Sequence, residues 1–163
     1  MIMMMSIAFG QSSKSEAQIT VASAAFQAGG AIPDQFTCKG ANQNPPLQFQ
    51  GVPKEAKSLV LIMDDPDAPG GLFTHWLVWN IDPATTQLSE KTVPPGAIQG
   101  RNDFGKSGYG GPCPPSGTHR YFFRVYALDR KLDLKSGATR RDLDKALAGH
   151  TIGQGELMGR YGR

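Results

Sequence analysis

Ser58-Leu59-Val60-Leu61-Ile62-Met63 is an unbroken apolar run that ends abruptly at Asp64-Asp65-Pro66-Asp67. Six residues are too few for a stable helix, and turn formers bound them, so the run reads as a strand buried on both faces. Two further runs read as strands. Thr74 to Ile81 (THWLVWNI) alternates, with His75, Leu77 and Trp79 on one face and Trp76, Val78 and Asn80 on the other. Arg120 to Leu128 (RYFFRVYAL) is rich in the aromatic and branched residues that strands favour. An opening strand is expected at Ile19 to Ala25, extended by Phe26. A short one is expected at Leu47 to Phe49, and a last one at Ile152 to Tyr161, weakened by Gly153, Gly155 and Gly159. One segment alone reads as a helix: Thr139 caps it with Asp142 three residues on, Leu143, Ala146 and Leu147 form its stripe, and Gly149 closes it. The chain's 163 residues include 20 glycines and 12 prolines. That excess argues against a helical bundle and for strands joined by long, punctuated loops. The expected class is mostly β, in one domain.

Lysine and arginine number 17 against 14 aspartates and glutamates, a net charge of +3. The densest basic clusters, Arg140-Arg141 and Arg160 to Arg163, are short, so nucleic acid is not an expected partner. Met1 to Gly10 is apolar but too short to cross a bilayer as a helix, and no later segment reaches 18 apolar residues. No integral membrane segment is expected. Residues 1–17 read as a disordered start or residual signal segment, with small-x-small sites at Ala8-Phe9-Gly10 and Ser15-Glu16-Ala17, ahead of a domain over 18–163. No Lys or Arg precedes Lys14, so the basic flank of a signal is missing. Export to the periplasm or medium is the expectation, and cytoplasm the alternative. Cys38 and Cys113 both sit in Gly/Pro-rich loops. In an oxidising compartment they are expected to bridge, in cytosol to stay free.

Three constellations carry chemistry. Asp64, Asp65 and Asp67 follow the buried strand directly, where carboxylates are costly unless exposed or paired. Asp65 and Asp67 point to the same side in an extended run. A Pro-rich turn with Asp as turn former is the plainer reading of that segment taken alone. A hairpin between the first two strands brings His75 beside these carboxylates. The third constellation is Gly110 to Tyr121 (GGPCPPSGTHRY), in which His119 opens a strand and Tyr121 shares its face. Unpaired glycine amides there would form a concave nest for an anion. The carboxylates are expected to keep both histidines protonated and to offer acceptors to an ammonium, a set suited to a zwitterion with phosphate and amine. There is no GxSxG and no HExxH, so a binding module is favoured over a hydrolase or a metal-dependent enzyme. No cofactor is expected. His150 reads as a helix-end cation or packing residue, Trp76 and Trp79 as core, and Asn102-Asp103-Phe104 as a turn with an apolar anchor.

These motifs resemble the phosphatidylethanolamine-binding protein family, in its bacterial Raf-kinase-inhibitor-like branch. The resemblance rests on DDPDAP (64–69), HWLVWNI (75–81) and GPCPPSGTHRY (111–121), with support from 36–49, 100–111 and 148–163. It implies a large antiparallel sheet packed on a smaller one, with one or two short helices. It also implies a small pocket at one end of the fold for phosphate-like anions and phosphoethanolamine head groups. The implied pocket residues are Asp65, Asp67, His75, His119 and Tyr121, with Gly111 and Pro112 from the loop. Members that inhibit kinases or serine proteases make a protein partner at the pocket rim the second expectation.

Overall fold

A computed structural model describes residues 15–163, and the apolar start at Met1–Gly10 lies outside the described residues. The strands are β1 (Ala17–Gln18), β2 (Thr20–Ala22), β3 (Leu47–Gln50), β4 (Ser58–Asp65), β5 (Phe73–Ile81), β6 (Gln87–Leu88), β7 (Ile98–Gln99), β8 (Thr118–Leu128) and β9 (Thr151–Gly162). One α-helix, α1 (Arg140–Leu147), precedes β9. The large sheet runs β1-β9-β8-β4-β5-β7 and the small one β2-β3-β6. All pairings are antiparallel except the edge pair β1 and β9.

β4 lies inside the large sheet, between β8 and β5, and all eight of its residues are buried. Leu59, Leu61 and Met63 face the layer between the sheets, with Trp76, Val78, Phe123 and Val125, and meet Val21, Leu47, Phe49 and Leu88 of the small sheet. Val60 and Ile62 face the other way with Leu77 and Trp79, under Leu132 and the helix residue Leu143. A strand covered on both faces has no place for alternation, hence the continuous apolar run. The helix follows its expected cap: Thr139 Oγ1 accepts from the Asp142 amide at 3.2 Å, and the Asp142 carboxylate accepts from the Thr139 amide at 2.9 Å. Gly149, at φ +79°, takes the left-handed turn that carries the chain into β9.

The opening strand departs from expectation. Instead of one run from Ile19 to Ala25, the chain changes sheets at Ile19, whose amide donates to the Gln154 carbonyl at 2.9 Å. β1 thus closes the large sheet and β2 pairs with β3. Phe26 lies beyond β2 in irregular backbone and packs its ring 6.0 Å from that of Phe123.

β5 departs too. Two register shifts interrupt its pairing with β4, between Leu59 and Leu61 and between Met63 and Asp64. Met63 pairs with Trp76 while Asp64 pairs with Thr74, so His75 is the extra residue of a bulge. Strict alternation puts His75 with Leu77 and Trp79. The bulge turns it to the Trp76 face, where its ring meets that of Tyr121 at 5.3 Å. Asn80, at φ 55°, is released from the Trp76 face by the other shift and exchanges two 2.8 Å hydrogen bonds with the Leu132 backbone.

Candidate functional site

Three carboxylates leave the end of β4, and each goes to a different partner. Asp64 continues the Val60–Ile62 face and is fully buried, accepting from Thr74 Oγ1 at 3.1 Å, from Arg124 at 3.1 Å, and from Arg140 of α1. Asp65 continues the opposite face. Its Oδ2 lies 2.7 Å from His119 Nδ1, and its Oδ1 accepts the Asp67 amide at 2.8 Å. Asp67 sits at the rim, where the Arg120 guanidinium grips it through two 2.9 Å bonds and the Arg120 amide adds a third. Arg120 holds the Asp67 carboxyl down to about 2. Every oxygen of Asp65 and Asp67 already accepts a bond, so an ammonium would have to share these carboxylates with His119, Arg120 and the Asp67 amide.

The β5 bulge and the following loop fix His75. Its Nδ1 lies 2.6 Å from the Gly110 carbonyl, while the Gly110 amide donates to the His75 carbonyl at 3.0 Å. A carbonyl only accepts, so Nδ1 carries the proton and Nε2 presents its lone pair when the ring is neutral. Phe73, Phe104 and Tyr121 surround the imidazole at ring separations of 4.9, 5.3 and 5.3 Å. Burial among these rings pushes the His75 pKa below the usual imidazole value, against the opposing pull of the Gly110 carbonyl, Asp65 and Asp64. The expectation of two histidines kept protonated by their carboxylate neighbours therefore fails at His75, because desolvation outweighs charges that are already shared with His119, Arg124 and Arg140.

His119 and Tyr121 project from the same face of β8, their rings stacked at 6.4 Å. Tyr121 is 0% exposed, and its hydroxyl is the one buried side-chain polar atom among the described residues without a hydrogen-bond partner. Burial, and then the charges of Asp65 and Asp67, push its phenol well above the ordinary range, while the Cys113 amide, which faces the oxygen without completing a well-formed hydrogen bond, pulls the other way. Together these groups line a cavity of about 140 Å³, walled by Asp65, His75, His119 and Tyr121 and by Phe73 and Phe104. Ala68, Pro69, Cys113, Pro114 and Pro115 complete it. Phe104, at 45% exposure, gives the cavity an exposed apolar edge, and Leu72, next to Phe73 in the chain, is 55% exposed.

The glycine loop is packed rather than open. The Gly111 amide donates to Asn42 Oδ1 at 2.8 Å, and a Cβ on Gly111 would overlap the Phe36 carbonyl and the Asn42 side chain. The Pro112 carbonyl accepts from the Cys38 amide at 3.1 Å, and Cys113 is disulfide-bonded to Cys38. The amides of Gly110 and Gly111 are thus spent inside the fold, which removes the expected nest. The contribution of the loop to the cavity comes from Cys113, Pro114 and Pro115, one step beyond Gly111 and Pro112.

A profile of the family described as Phosphatidylethanolamine-binding protein matches residues 22–162. The chain belongs to that family. It is 54% identical over 144 residues to a UPF0098 protein of Methanothermobacter thermautotrophicus, covering 85% of this chain and 95% of that one. A UPF0098 protein of Chlamydia trachomatis is 46% identical with the same coverage. Among solved structures, a putative phosphatidylethanolamine-binding protein homologue from Chlamydia trachomatis superposes with a TM-score of 0.84 at 45% identity, covering 91% of this chain and 98% of that one. YbcL of E. coli, described as a new member of the mammalian family, gives 0.83 at 34%, covering 91% and 99%. The similar chains come from archaea as well as bacteria.

Within this family fold, Asp65, His75, His119 and Tyr121 converge as the motif spacing implied. Asp67 does not reach the cavity wall, and neither do Gly111 and Pro112. Phe73 was missed as a wall residue, although its place opposite Asp65 in the hairpin marks it. Phe104 proves to be the anchor of a tight turn built on Asn102, whose side chain bonds the backbone of Phe104, Lys106 and Gly108. Trp76 and Trp79 are both core, on opposite faces of the sheet. His150 stands apart from the cavity, 2.8 Å from Asp129. Among the described residues no helix is long and apolar enough to cross a membrane.

Proposed function

We propose that the chain is a non-catalytic binding module whose cavity takes the phosphate end of a small phosphorylated ligand, with phosphoethanolamine as the test compound. One observation carries this reading. The unpartnered Tyr121 hydroxyl and the Nε2 atoms of His75 and His119, which have no partner among the described residues, belong to residues lining one cavity of about 140 Å³. Polar groups held without partners in a buried site are stabilised by a ligand that completes their hydrogen bonds. The Asp65 carboxylate fixes the His119 ring, so an imidazolium there is ion-paired behind and donates Nε2–H in front. Binding is favoured over catalysis because no serine or lysine is among the lining residues, the one cysteine is oxidised, and Asp65 is already paired with His119 and the Asp67 amide. A bond between Cys38 and Cys113 also favours the exported location over the cytoplasm.

Titration with inorganic phosphate and phosphoethanolamine, followed by phosphorus NMR, tests the reading. Saturable binding by wild type that Asp65→Ala and His119→Ala abolish, with both variants folded, is the expected result. Failure of wild type to bind either ligand overturns it. The exposed Leu72 and Phe104 then move a protein partner, of the kinase or protease kind, to first place.

A further inference from the structure

The cavity's hydrogen-bonding inventory is more selective than a generic anion site, and this inference rests on the phosphate reading above. Sites for doubly charged phosphates normally hold lysine, arginine or a stack of free amides. Among the residues lining this cavity there is no lysine or arginine. The nearest guanidinium, Arg120, is committed to Asp67 at the rim. The Gly110 and Gly111 amides are bonded to the His75 carbonyl and to Asn42, which leaves the single Cys113 amide, beside the Tyr121 oxygen, in place of a stack. Asp65 places a carboxylate, buried to 3% exposure, inside the site. Among the lining residues besides His75, His119 alone can carry a positive charge, and its Nδ1 already faces the Asp65 carboxylate. A second negative charge on a ligand would meet no second cation.

The second constraint is directional. The Gly110 carbonyl at 2.6 Å claims the Nδ1 proton of His75. The groups facing that ring are Asp64 and Asp65 from β4, Tyr121 from β8, the backbone carbonyls of Gly110 and, less closely, Gly111, and the rings of Phe73 and Phe104. Asp103, beside Phe104, is tied to the Thr74 amide. Three aromatic faces around a buried imidazole favour its neutral form, and both carboxylates of β4 are already paired. The Nε2 of His75 is therefore an acceptor, and an acceptor repels a bare anionic oxygen but welcomes an O–H.

We propose that the cavity selects a singly charged oxyanion that carries its own proton, the monoanion of phosphate or of a phosphate monoester. Its P–O–H donates to His75 Nε2, while its other oxygens accept from the Tyr121 hydroxyl and, when that ring is protonated, from His119 Nε2–H. Sulfate has the same shape but no proton at neutral pH. A phosphodiester, as in an intact lipid head group, has the single charge but no P–O–H. Both leave His75 facing an oxygen lone pair. Free phosphomonoesters, and not the diester of a lipid, are then the ligand class.

Calorimetric titration of the full chain at pH 6.5 compares inorganic phosphate, phosphoethanolamine, sulfate and glycerophosphoethanolamine. The first two are expected to bind, and the last two to bind roughly tenfold to a hundredfold more weakly, the cost of replacing one charge-assisted hydrogen bond by a mismatch. Above the second ionisation of a phosphomonoester, near about pH 6, affinity for phosphoethanolamine falls by at least about tenfold per pH unit. The phosphorus resonance of the bound ester keeps the monoanion position at pH 8. In His75→Gln the amide turns its NH₂ toward the ligand, so sulfate binds about as well as phosphate. If that variant does not fold, the four wild-type affinities and the bound-state resonance decide alone. Sulfate or the diester binding within about threefold of phosphoethanolamine, or a dianionic bound resonance, overturns the proposal while leaving the anion site standing. Absence of any phosphate binding removes the site reading and this one together.

Discussion

Tyr121→Phe is the substitution for which stability and binding separate in sign. The hydroxyl is fully buried, unpartnered, and part of the cavity wall. Leaving a buried hydroxyl unsatisfied costs about 1–3 kcal/mol, and a solvated cavity brings that toward the lower figure. Removing one oxygen leaves the ring, and its contacts with His75 and His119, in place. The ligand-free variant is therefore expected to be more stable than wild type by about 1 kcal/mol, or roughly 2–4 °C in Tm for a chain of this size. Affinity for phosphate moves the other way, by the roughly 1.5–3 kcal/mol of a hydrogen bond to a charged group, or about tenfold to a hundredfold. Tyr109 supplies the control. Its hydroxyl donates to the Phe36 carbonyl at 2.7 Å, so Tyr109→Phe strands a buried acceptor and destabilises by about 1 kcal/mol. Urea unfolding with and without phosphate, read at constant m, measures both. Loss of stability in Tyr121→Phe comparable to that in Tyr109→Phe, or unchanged phosphate affinity, refutes the reasoning.

Two further outcomes follow from the same strand end. Asp64→Ala strands the guanidiniums of Arg124 and Arg140 at the edge of the helix-side core; because both reach solvent, unfolding measurements should show a loss of about 3 kcal/mol, the low end for breaking a buried pair. His75 has a folded pKa below its unfolded 6.5, so the unfolded chain binds the extra proton. Its contribution to stability is complete above pH 6.5 and is lost on acidification, with a slope of at most about 1.4 kcal/mol per pH unit. Unfolding free energies at several pH values between about 5 and 7 should fall more steeply for wild type than for His75→Gln, and parallel curves would contradict the assignment of a neutral ring.

The strands were legible because their residues meet one physical demand each. SLVLIM is apolar at every position after Ser58 since both faces of β4 are covered, and RYFFRVYAL is rich in rings and branched residues that fill a pleated surface. The helix was legible from its cap, since Thr139 and Asp142 act within one turn of backbone. What strand alternation hid is whatever a bulge rearranges. No local signal in Phe73-Thr74-His75-Trp76 says that His75 is an extra residue against β4, so its face was assigned one step out. The split of the opening strand was hidden likewise, because ITVASAA has the composition of a strand whichever sheet it joins. In the site, residue types placed the converging histidines and carboxylate correctly. They did not reveal that Asp67 and the glycine amides are consumed by Arg120, Asn42 and the His75 carbonyl, since such commitments depend on chain segments far apart in sequence.

The cavity collects several features that a fold selected for stability alone would lack. β5 gives up regular pairing to insert His75, the imidazole is buried where its charged form is disfavoured, and a tyrosine hydroxyl is buried without a partner. The buried hydroxyl costs on the order of 1 kcal/mol or more, and much of the remaining described core shows how the same chain avoids such a cost. Tyr109 donates to Phe36, Trp76 to Gln99, Trp79 to Leu134, and Asp64 is matched by two arginines. The contrast lies within one sheet, so it does not reflect a generally loose structure. Polar groups left without partners at the ends of β4, β5 and β8, around a cavity sized for a single small group, are stabilised when a ligand supplies those partners. That asymmetry is the energetic argument for a binding site here, and it is independent of the sequence motifs that first drew attention to these residues.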